Sequence, residues 1–161
     1  MKIAASAERR VHAPADRVYG YIRDFNHHHR YFLPPEFSGF VIEEGGVGAG
    51  TVHRFTLTLA GKPRTARMRV DEPVPGRVLT ETDSTSGLVT TFSVEPSGAR
   101  ECRVRISTVY EARGMRGIAE RLAVPKMLER LYQSELALLE RYALSRGSSL
   151  ELTIVASSGA S

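Results

Sequence analysis

The last part of the chain shows the periodicity of a long helix. Over residues 115–143, apolar side chains recur at steps of three or four, at Ile118, Leu122, Leu128, Tyr132, Leu136, Leu139 and Ala143. This spacing places them on one side of an α-helix. The other side carries the polar residues Arg130, Gln133, Glu140 and Arg141. We therefore predict a long helix with one buried side, and a kink or a new helix start at Pro125.

Apolar and polar positions alternate through most of the remaining chain, which is typical of β-strands. The alternation, with turns rich in glycine, proline and serine between its segments, predicts strands over 2–12, 37–44, 51–60, 63–73, 77–83, 88–95 and 101–112. Because the turns between the later strands are short, those strands should pair antiparallel. One face of the sheet is then apolar, and the outward residues are Arg54, Arg67, Arg69, Arg103 and Arg105, with Glu8 and Glu81.

Two short helical segments lie between the first and second predicted strands. Pro14 and Asp16 suit the first turn of a helix that ends near Asp24. Residues 27–32 then form another helical turn, which the prolines at 34–35 end. The fold class is therefore α+β: a curved, seven-stranded antiparallel sheet wrapped around a long C-terminal helix, with two short helices between strands 1 and 2.

The chain is long enough for one domain, which we expect over residues 1–145. Residues 146–161 are rich in serine and glycine and are interpreted as a flexible tail. An added strand is the alternative, because Leu150, Leu152 and Ile154 alternate with other residues.

Composition narrows the class of protein. The single cysteine excludes an internal disulfide, and neither a secretory signal nor a membrane span is recognisable, so a cytoplasmic protein is expected. The net charge of +4 is spread along the chain and is not the clustered basic surface of a nucleic-acid-binding protein. We expect no cofactor and no metal, and a monomer or a homodimer.

Several short motifs recur in the order and spacing of a known family. They are residues 11–14 (VHAP), 21–25 (YIRDF), 31–34 (YFLP), 70–73 (VDEP) and 75–77 (PGR), with Gly48 and Gly50 before a strand. Over about residues 3–143, the chain resembles the START/Bet v 1-like superfamily (SRPBCC, helix-grip fold). More narrowly, it resembles the polyketide cyclase/dehydrase and lipid-transport family. The resemblance implies a cavity for a hydrophobic small molecule between sheet and helix.

The inward positions of the strands and of the long helix supply the candidate ligand-binding residues. They are Phe32, Phe40, His53, Phe55, Leu57, Met68, Thr90, Phe92, Ile106, Leu128, Tyr132, Glu135 and Leu139. Most are aromatic or aliphatic, and few polar groups converge among them, as is usual for small-molecule pockets.

Three of the inward positions carry charge or can carry it. The pattern favours Glu135 at the edge of the apolar stripe, reaching water or an arginine; the alternative is a cavity acid or base with a raised pKa. Arg9 either anchors an acidic ligand or pairs with Glu135, or it reaches solvent at a bulge or strand end. His53 is favoured as a rim residue bonded to the loop, with proton transfer as the alternative.

Three further features invite stronger interpretations than their context supports. His27, His28 and His29 are consecutive and point in different directions, so a solvated helical turn at the pocket mouth is favoured over a metal site. The glycine-rich residues 46–50 precede a strand rather than a helix, which favours a flexible hairpin that gates the cavity over a phosphate site. Cys102 is expected to be a buried core thiol.

Three functional hypotheses follow from these patterns. The leading one is binding of a hydrophobic or amphipathic small molecule, lipid-like or polyketide-like. The second is a polyketide cyclase, aromatase or dehydratase, in which Glu135 or His53 moves protons and Arg9 holds a developing oxyanion. The third is a protein-interaction module that uses the arginine-bearing face or the tail.

Overall fold

The structure, a computed structural model, describes residues 2–112 and 117–158, with side chains through residue 147. Seven strands form one antiparallel sheet in the order β1-β7-β6-β5-β4-β3-β2. Their bounds are Lys2–Val11 (β1), Phe37–Glu44 (β2), Val52–Leu59 (β3), Lys62–Val74 (β4), Val78–Asp83 (β5), Val89–Gly98 (β6) and Glu101–Glu111 (β7). The predicted sheet is confirmed, and the first and last strands are neighbours in it.

Side-chain alternation gives the sheet one dry face and one wet face. Across β6 and β7, Phe92 pairs with Ile106 and Val94 with Val104, and all four side chains are buried. The predicted outward arginines are exposed. Glu8 forms the cross-strand ion pair expected of it, 3.2 Å from Arg103. Register shifts interrupt the ladder in β2, β4 and β6, where such irregularities bend a sheet.

Two short helical elements connect β1 to β2. The helix α1 spans Ala15–Arg23 and buries Val18 and Ile22 against the sheet. A 3₁₀ helix follows over His29–Phe32, where one further turn was predicted, and the chain becomes extended at Leu33 before the two prolines. Together these elements cover one end of the concave face.

The long C-terminal helix, α2, spans Ile118–Ser158. Its buried side runs from Leu128 to Ala143, as its periodicity predicts. The assignment of Ile118 and Leu122 to that side is wrong, because they are 77% and 66% exposed. Both precede Leu128, the first buried residue of the helix, so the contact of this side with the core begins only there. The helix runs through Pro125.

The predicted limits of this helix also differ from those observed. The expected start at Met115 lies outside the described residues. At the other end, the helix continues to Ser158, so the alternative of an added strand over 150–155 is wrong. Mobility of residues 146–161 stays a prediction. No helix among the described residues combines the length and the apolarity that crossing a bilayer requires.

The glycine-rich loop between β2 and β3 is fastened to the end of α1. The carbonyl of Gly46 accepts the N–H of Phe25 at 2.9 Å, and the N–H of Gly48 donates to the carbonyl of Arg23 at 2.8 Å. A Cβ atom at Gly46 would collide with the side chain of Asn26, and one at Gly48 with the side chain of Arg23. Glycine thus permits the close approach. The predicted hairpin is confirmed, because Glu44 pairs with Val52 across this loop, and gating of the cavity by it stays a prediction.

A partly buried ion pair holds this loop against the sheet. Nε of Arg23 lies 2.9 Å from Oε1 of Glu72, which also accepts the hydroxyl of Tyr19 at 2.9 Å. The Ala49 N–H donates to the other carboxylate oxygen at 3.0 Å. The Arg23 hydrogen bond, helped by those of Ala49 and Tyr19, outweighs burial and lowers the pKa of Glu72 to about 2.

Replacement of Glu72 by glutamine should therefore lower stability in a pH-dependent way. A carboxyl whose pKa is lowered from 4.5 stabilises the fold above that pH, and this contribution disappears as the pH falls toward about 2. We expect Glu72→Gln to cost roughly 2 kcal/mol near neutral pH, after allowance for solvent screening at Arg23. Urea unfolding at several pH values measures the difference, which should shrink below about pH 4.5.

The exposed Glu36 offers a matched control, because Glu36→Gln makes the same chemical change away from the ion pair. A difference between native protein and Glu72→Gln that stays constant from neutral to acid pH would contradict the assignment.

Candidate functional site

A cavity of about 560 Å³ lies between the concave face of the sheet and the part of α2 around Leu128–Glu135. Small-molecule sites in proteins usually have volumes of about 300–1,000 Å³. Its walls come from the 3₁₀ helix, from strands β2 to β6 and from α2. The exposed residues Arg64, Thr65, Thr85 and Ser86 mark its mouth at the turns β3–β4 and β5–β6.

The predicted ligand-binding residues divide into two groups. Ten line the cavity: Phe40, His53, Phe55, Leu57, Met68, Thr90, Phe92, Leu128, Tyr132 and Glu135. Phe32, Ile106 and Leu139 do not line it, because they are fully buried in the packed core beside it. All thirteen are on inward faces, but α2 packs directly on the sheet in one region and spans a space in another. A ligand-binding role for the ten residues stays a prediction.

Glu135 is buried in the cavity wall. The sequence pattern favoured a position at the edge of the apolar stripe, and that interpretation is wrong. The residue is 3% exposed, and its side chain forms no hydrogen bond within the described part of the chain. Burial, together with the negative charge of Glu81, raises the pKa of Glu135 well above its ordinary value. The site therefore favours the protonated, neutral form of this carboxyl.

His29 faces Glu135, which the sequence did not predict. The residue is 2% exposed, and its Nδ1 lies 2.6 Å from the carbonyl oxygen of Ile22. Because a carbonyl only accepts, Nδ1 carries the proton and Nε2 presents a lone pair. Nε2 lies 4.0 Å from Oε1 of Glu135. Burial is the main cause that lowers the pKa of His29, so the ring is neutral.

The prediction of a solvated turn is therefore wrong for one of the three histidines, His29. His27 is exposed and pairs with Asp24 at 3.1 Å, and His28 is partly buried against Tyr142. In a 3₁₀ helix, side chains three residues apart share a face. His29 thus lies on the same face as the buried Phe32, and that spacing was the signal in the sequence that could have identified it.

His53 and Glu81 form a second buried pair in the cavity wall. Nε2 of His53 lies 3.1 Å from Oε1 of Glu81, and the residues are 1% and 6% exposed. The rim position favoured for His53 is therefore wrong. Burial raises the pKa of Glu81, but the electrostatic attraction of His53 and the hydrogen bond with it outweigh burial, so the pKa is lowered. Glu81 is thus ionised, and its Oε1 accepts a hydrogen bond from Nε2–H of His53.

The outward assignment of Glu81 is wrong, because the buried face of β5 is the one that carries its large apolar residue, and Glu81 lies on that face. Leu79, Glu81 and Asp83 are buried, whereas the intervening threonines are more exposed. Each face of this strand carries one apolar residue and two polar or acidic ones, so alternation alone did not decide its inward face. Leu79, as the large apolar residue, was the available signal.

A chain of hydroxyl groups forms another part of the wall. Oγ1 of Thr90 lies 2.8 Å from Oγ1 of Thr108, which is hydrogen-bonded to the hydroxyl of Tyr132. Burial raises the pKa of Tyr132 to about 12, so its hydroxyl stays protonated. These three groups satisfy one another and give the cavity a neutral polar surface.

Arg9 lies outside the cavity. Its strand position is inward, as expected, because it pairs with the buried Val104. However, β1 is an edge strand, and the long side chain extends to α2, where Nε lies 3.1 Å from Oε2 of Glu140. The side chain is 46% exposed. Neither predicted role, anchoring a ligand in the cavity or pairing with Glu135, is supported.

The other candidate sites from the sequence offer fewer groups that could react or bind a ligand. Cys102 is a fully buried core thiol, as predicted, and burial raises its pKa to about 11. Residues 46–50 do not line the cavity. Within residues 2–112 and 117–147, no group of three or more histidine, cysteine or acidic side chains is arranged to hold a metal ion.

Glu135→Gln should stabilise the fold near neutral pH. Since the pKa of Glu135 is raised above 4.5 in the folded state, its stabilising effect is complete below that pH and is lost as pH rises. Glutamine cannot ionise, so the variant should exceed the native protein by about 1–2 kcal/mol near neutral pH. Denaturant unfolding measures this gain, which should vanish near about pH 4.

Glu129→Gln is the control, because Glu129 is exposed on the same helix. If both substitutions change stability alike at every pH, Glu135 does not carry the buried proton assigned to it.

Comparison with known proteins supports the fold independently. The NMR structure of KanY protein has 26% identity and a TM-score of 0.78, covering 89% of this chain and 98% of that one. The Zhui aromatase/cyclase from Streptomyces sp. R1128 has 21% identity and a TM-score of 0.72, covering 91% and 96%. A START superfamily protein from Mycobacterium smegmatis has 17% identity and a TM-score of 0.62, covering 91% and 98%.

The two more distant likenesses show the fold alone. A search of curated protein sequences gave no significant match. The family model described as "Polyketide cyclase / dehydrase and lipid transport" matches residues 2–144, which is most of the chain. The chain therefore belongs to the polyketide cyclase/dehydrase and lipid-transport family, with the helix-grip fold of the START/Bet v 1-like superfamily.

Proposed function

We propose that this protein binds a hydrophobic or amphipathic small molecule in the cavity between the sheet and α2. The observation that carries the proposal is the cavity itself, about 560 Å³ in volume and walled largely by aromatic and aliphatic side chains. Away from the exposed mouth its polar side chains are buried, among them His29, His53 and Glu135, and a small set of buried polar groups is usual in a site that orients one organic molecule.

The cost of the cavity supports the same conclusion. Protein interiors are normally packed as densely as organic crystals, so side chains around an unfilled space lose dispersion contacts. Beside it, Phe32, Ile106 and Leu139 show that this chain packs closely where α2 meets the sheet. A space kept open next to close packing is therefore consistent with a ligand that fills it.

A second candidate function is acid–base catalysis on a carbonyl compound, as in a cyclase, aromatase or dehydratase. The protonated carboxyl of Glu135 and the lone pair on Nε2 of His29 support it, since they face each other 4.0 Å apart in the cavity wall. In an aldol cyclisation, Nε2 would remove a proton from carbon beside one carbonyl. The enolate carbon would then bond to a second carbonyl carbon, and Glu135 would protonate its oxygen.

Dehydration is the remaining step of this reaction, and the same two residues supply and accept its protons. Loss of the new hydroxyl group as water requires one proton on the leaving oxygen and removal of one from the adjacent carbon. The imidazolium of His29 can supply the first, and the carboxylate of Glu135 can accept the second. Both residues return to their starting states. Arg9 has no part in this scheme, because its side chain contacts Glu140 outside the cavity.

Filling the cavity should abolish ligand binding without unfolding the protein. Ala66 lines the cavity opposite Phe55 in the sheet register, so Ala66→Phe places an aromatic ring in the space. Titration with the neutral fluorescent probe N-phenylnaphthylamine should show binding to the native protein, weakened about tenfold or more in the variant. Native mass spectrometry of freshly isolated protein tests for a retained small molecule.

Ala4→Phe is the matched control, because Ala4 is exposed on the outer face of β1. Equal probe affinity for both variants, or no binding to the native protein, would contradict a ligand in this cavity.

The catalytic candidate has its own test. A linear diketone such as heptanedione can cyclise to a methylcyclohexenone, and chromatography measures the product. Native protein should accelerate this reaction over buffer, and Glu135→Gln should lower the rate about a hundredfold because an amide cannot donate the proton. Glu129→Gln should leave the rate unchanged. No acceleration by native protein would reject catalysis of this class and leave binding intact.

A further inference from the structure

The space between His29 and Glu135 has a specific width. Nε2 of His29 and Oε1 of Glu135 are 4.0 Å apart, and both residues line the cavity. A hydrogen bond between nitrogen and oxygen requires about 2.7–3.2 Å, so the two groups do not bond directly. A single oxygen atom about 2.8 Å from each would fit between them, with an angle of roughly 90° at that oxygen.

The two groups also have opposite hydrogen-bonding roles. Nδ1 of His29 donates its proton to the carbonyl of Ile22, which leaves Nε2 as an acceptor. Glu135 is buried, has no hydrogen-bond partner among the described residues and lies near the ionised Glu81, so its neutral form is favoured, and that form can donate. An atom between them must therefore donate to one group and accept from the other.

Only some chemical groups meet this requirement. A hydroxyl oxygen donates one hydrogen bond and accepts others, so it satisfies both sides at once. A carbonyl or ether oxygen accepts only, and it would leave Nε2 of His29 facing a second lone pair. A water molecule has the same capacity as a hydroxyl, so a ligand hydroxyl can replace it without losing either bond.

Charge in the cavity disfavours an anionic group at this position. Glu81 is ionised and already paired with His53. Among the cavity-lining residues that the structure describes, Arg64 is the one arginine or lysine, and it is exposed at the mouth. A carboxylate bound beside Glu135 would be buried without a cation, which is costly.

We infer that His29 and Glu135 together recognise one uncharged hydroxyl group at the buried end of the ligand and discriminate against a carboxylate there. This inference rests on the binding function proposed above. Phe40, Phe55 and Phe92 line the same cavity, so an aromatic ring bearing the hydroxyl suits its walls best. The ligand class is thus a neutral phenol or a similar enol, bound with its hydroxyl inward.

Three naphthalene compounds with the substituent at the same ring position test this inference: a naphthol, a methylnaphthalene and a naphthoate. Equilibrium dialysis at neutral pH measures the affinity of each for the full-length protein. The native protein should bind the naphthol about tenfold more tightly than the methylnaphthalene, and the naphthoate most weakly. N-phenylnaphthylamine, the neutral probe used for the cavity, is measured in parallel.

Variants of Glu135 then test whether this residue is responsible for the preference for naphthol. Glu135→Gln keeps a donor and should retain the preference for naphthol within about threefold, whereas Glu135→Met should remove it, a change of about tenfold. Glu129→Met, on the exposed side of α2, should leave the preference unchanged.

Each outcome has a distinct meaning. A naphthol preference that depends on Glu135 supports the inference. Equal affinity for the three compounds, a preference that survives in Glu135→Met, or one that is lost equally in Glu129→Met overturns it. In those cases, binding of the neutral probe still supports the cavity as a ligand site. If neither the probe nor any naphthalene binds, the proposed binding function fails together with the inference.

Discussion

The contact between α2 and the concave face of the sheet is the constraint on which the rest of this structure depends. The helix buries one side, and from Leu136 to Ala143 that side meets the packed core directly. Nearer its start, from Leu128 to Glu135, the same side covers a cavity instead. One amphipathic helix thus both completes the core and covers the candidate site, so fold stability and the proposed ligand binding depend on the same element.

This arrangement explains why the polar residues of the cavity occur in pairs. Groups removed from water need partners or must lose their charge. His53 forms a hydrogen bond with the ionised Glu81, whereas burial favours the neutral forms of His29 and Glu135. The His29–Glu135 pair is therefore available to interact with a ligand. In the other pair, one ring nitrogen of His53 already has a hydrogen-bond partner.

How much of this could be predicted from the sequence differs between the fold and the site. Strand alternation and helical spacing predicted all seven strands and the long helix, because backbone geometry imposes those periods on any buried face. Ten of the thirteen candidate ligand-binding residues line the cavity for the same reason. The positions of the polar residues were harder to predict. Glu81 was assigned to the wrong face, and His29 was not identified, because burial of a polar group depends on partners distant in sequence.

By itself, the sequence determined which faces are apolar, where turns fall and which family the chain resembles. Those properties are local, and each follows from residue types within a few positions of one another. Only the tertiary structure decided where α2 contacts the sheet and where it leaves a space. It also determined that Arg9 extends to Glu140 while His29 faces Glu135. The reason is physical: the curvature of the sheet and the path of the helix across it bring together residues more than one hundred positions apart.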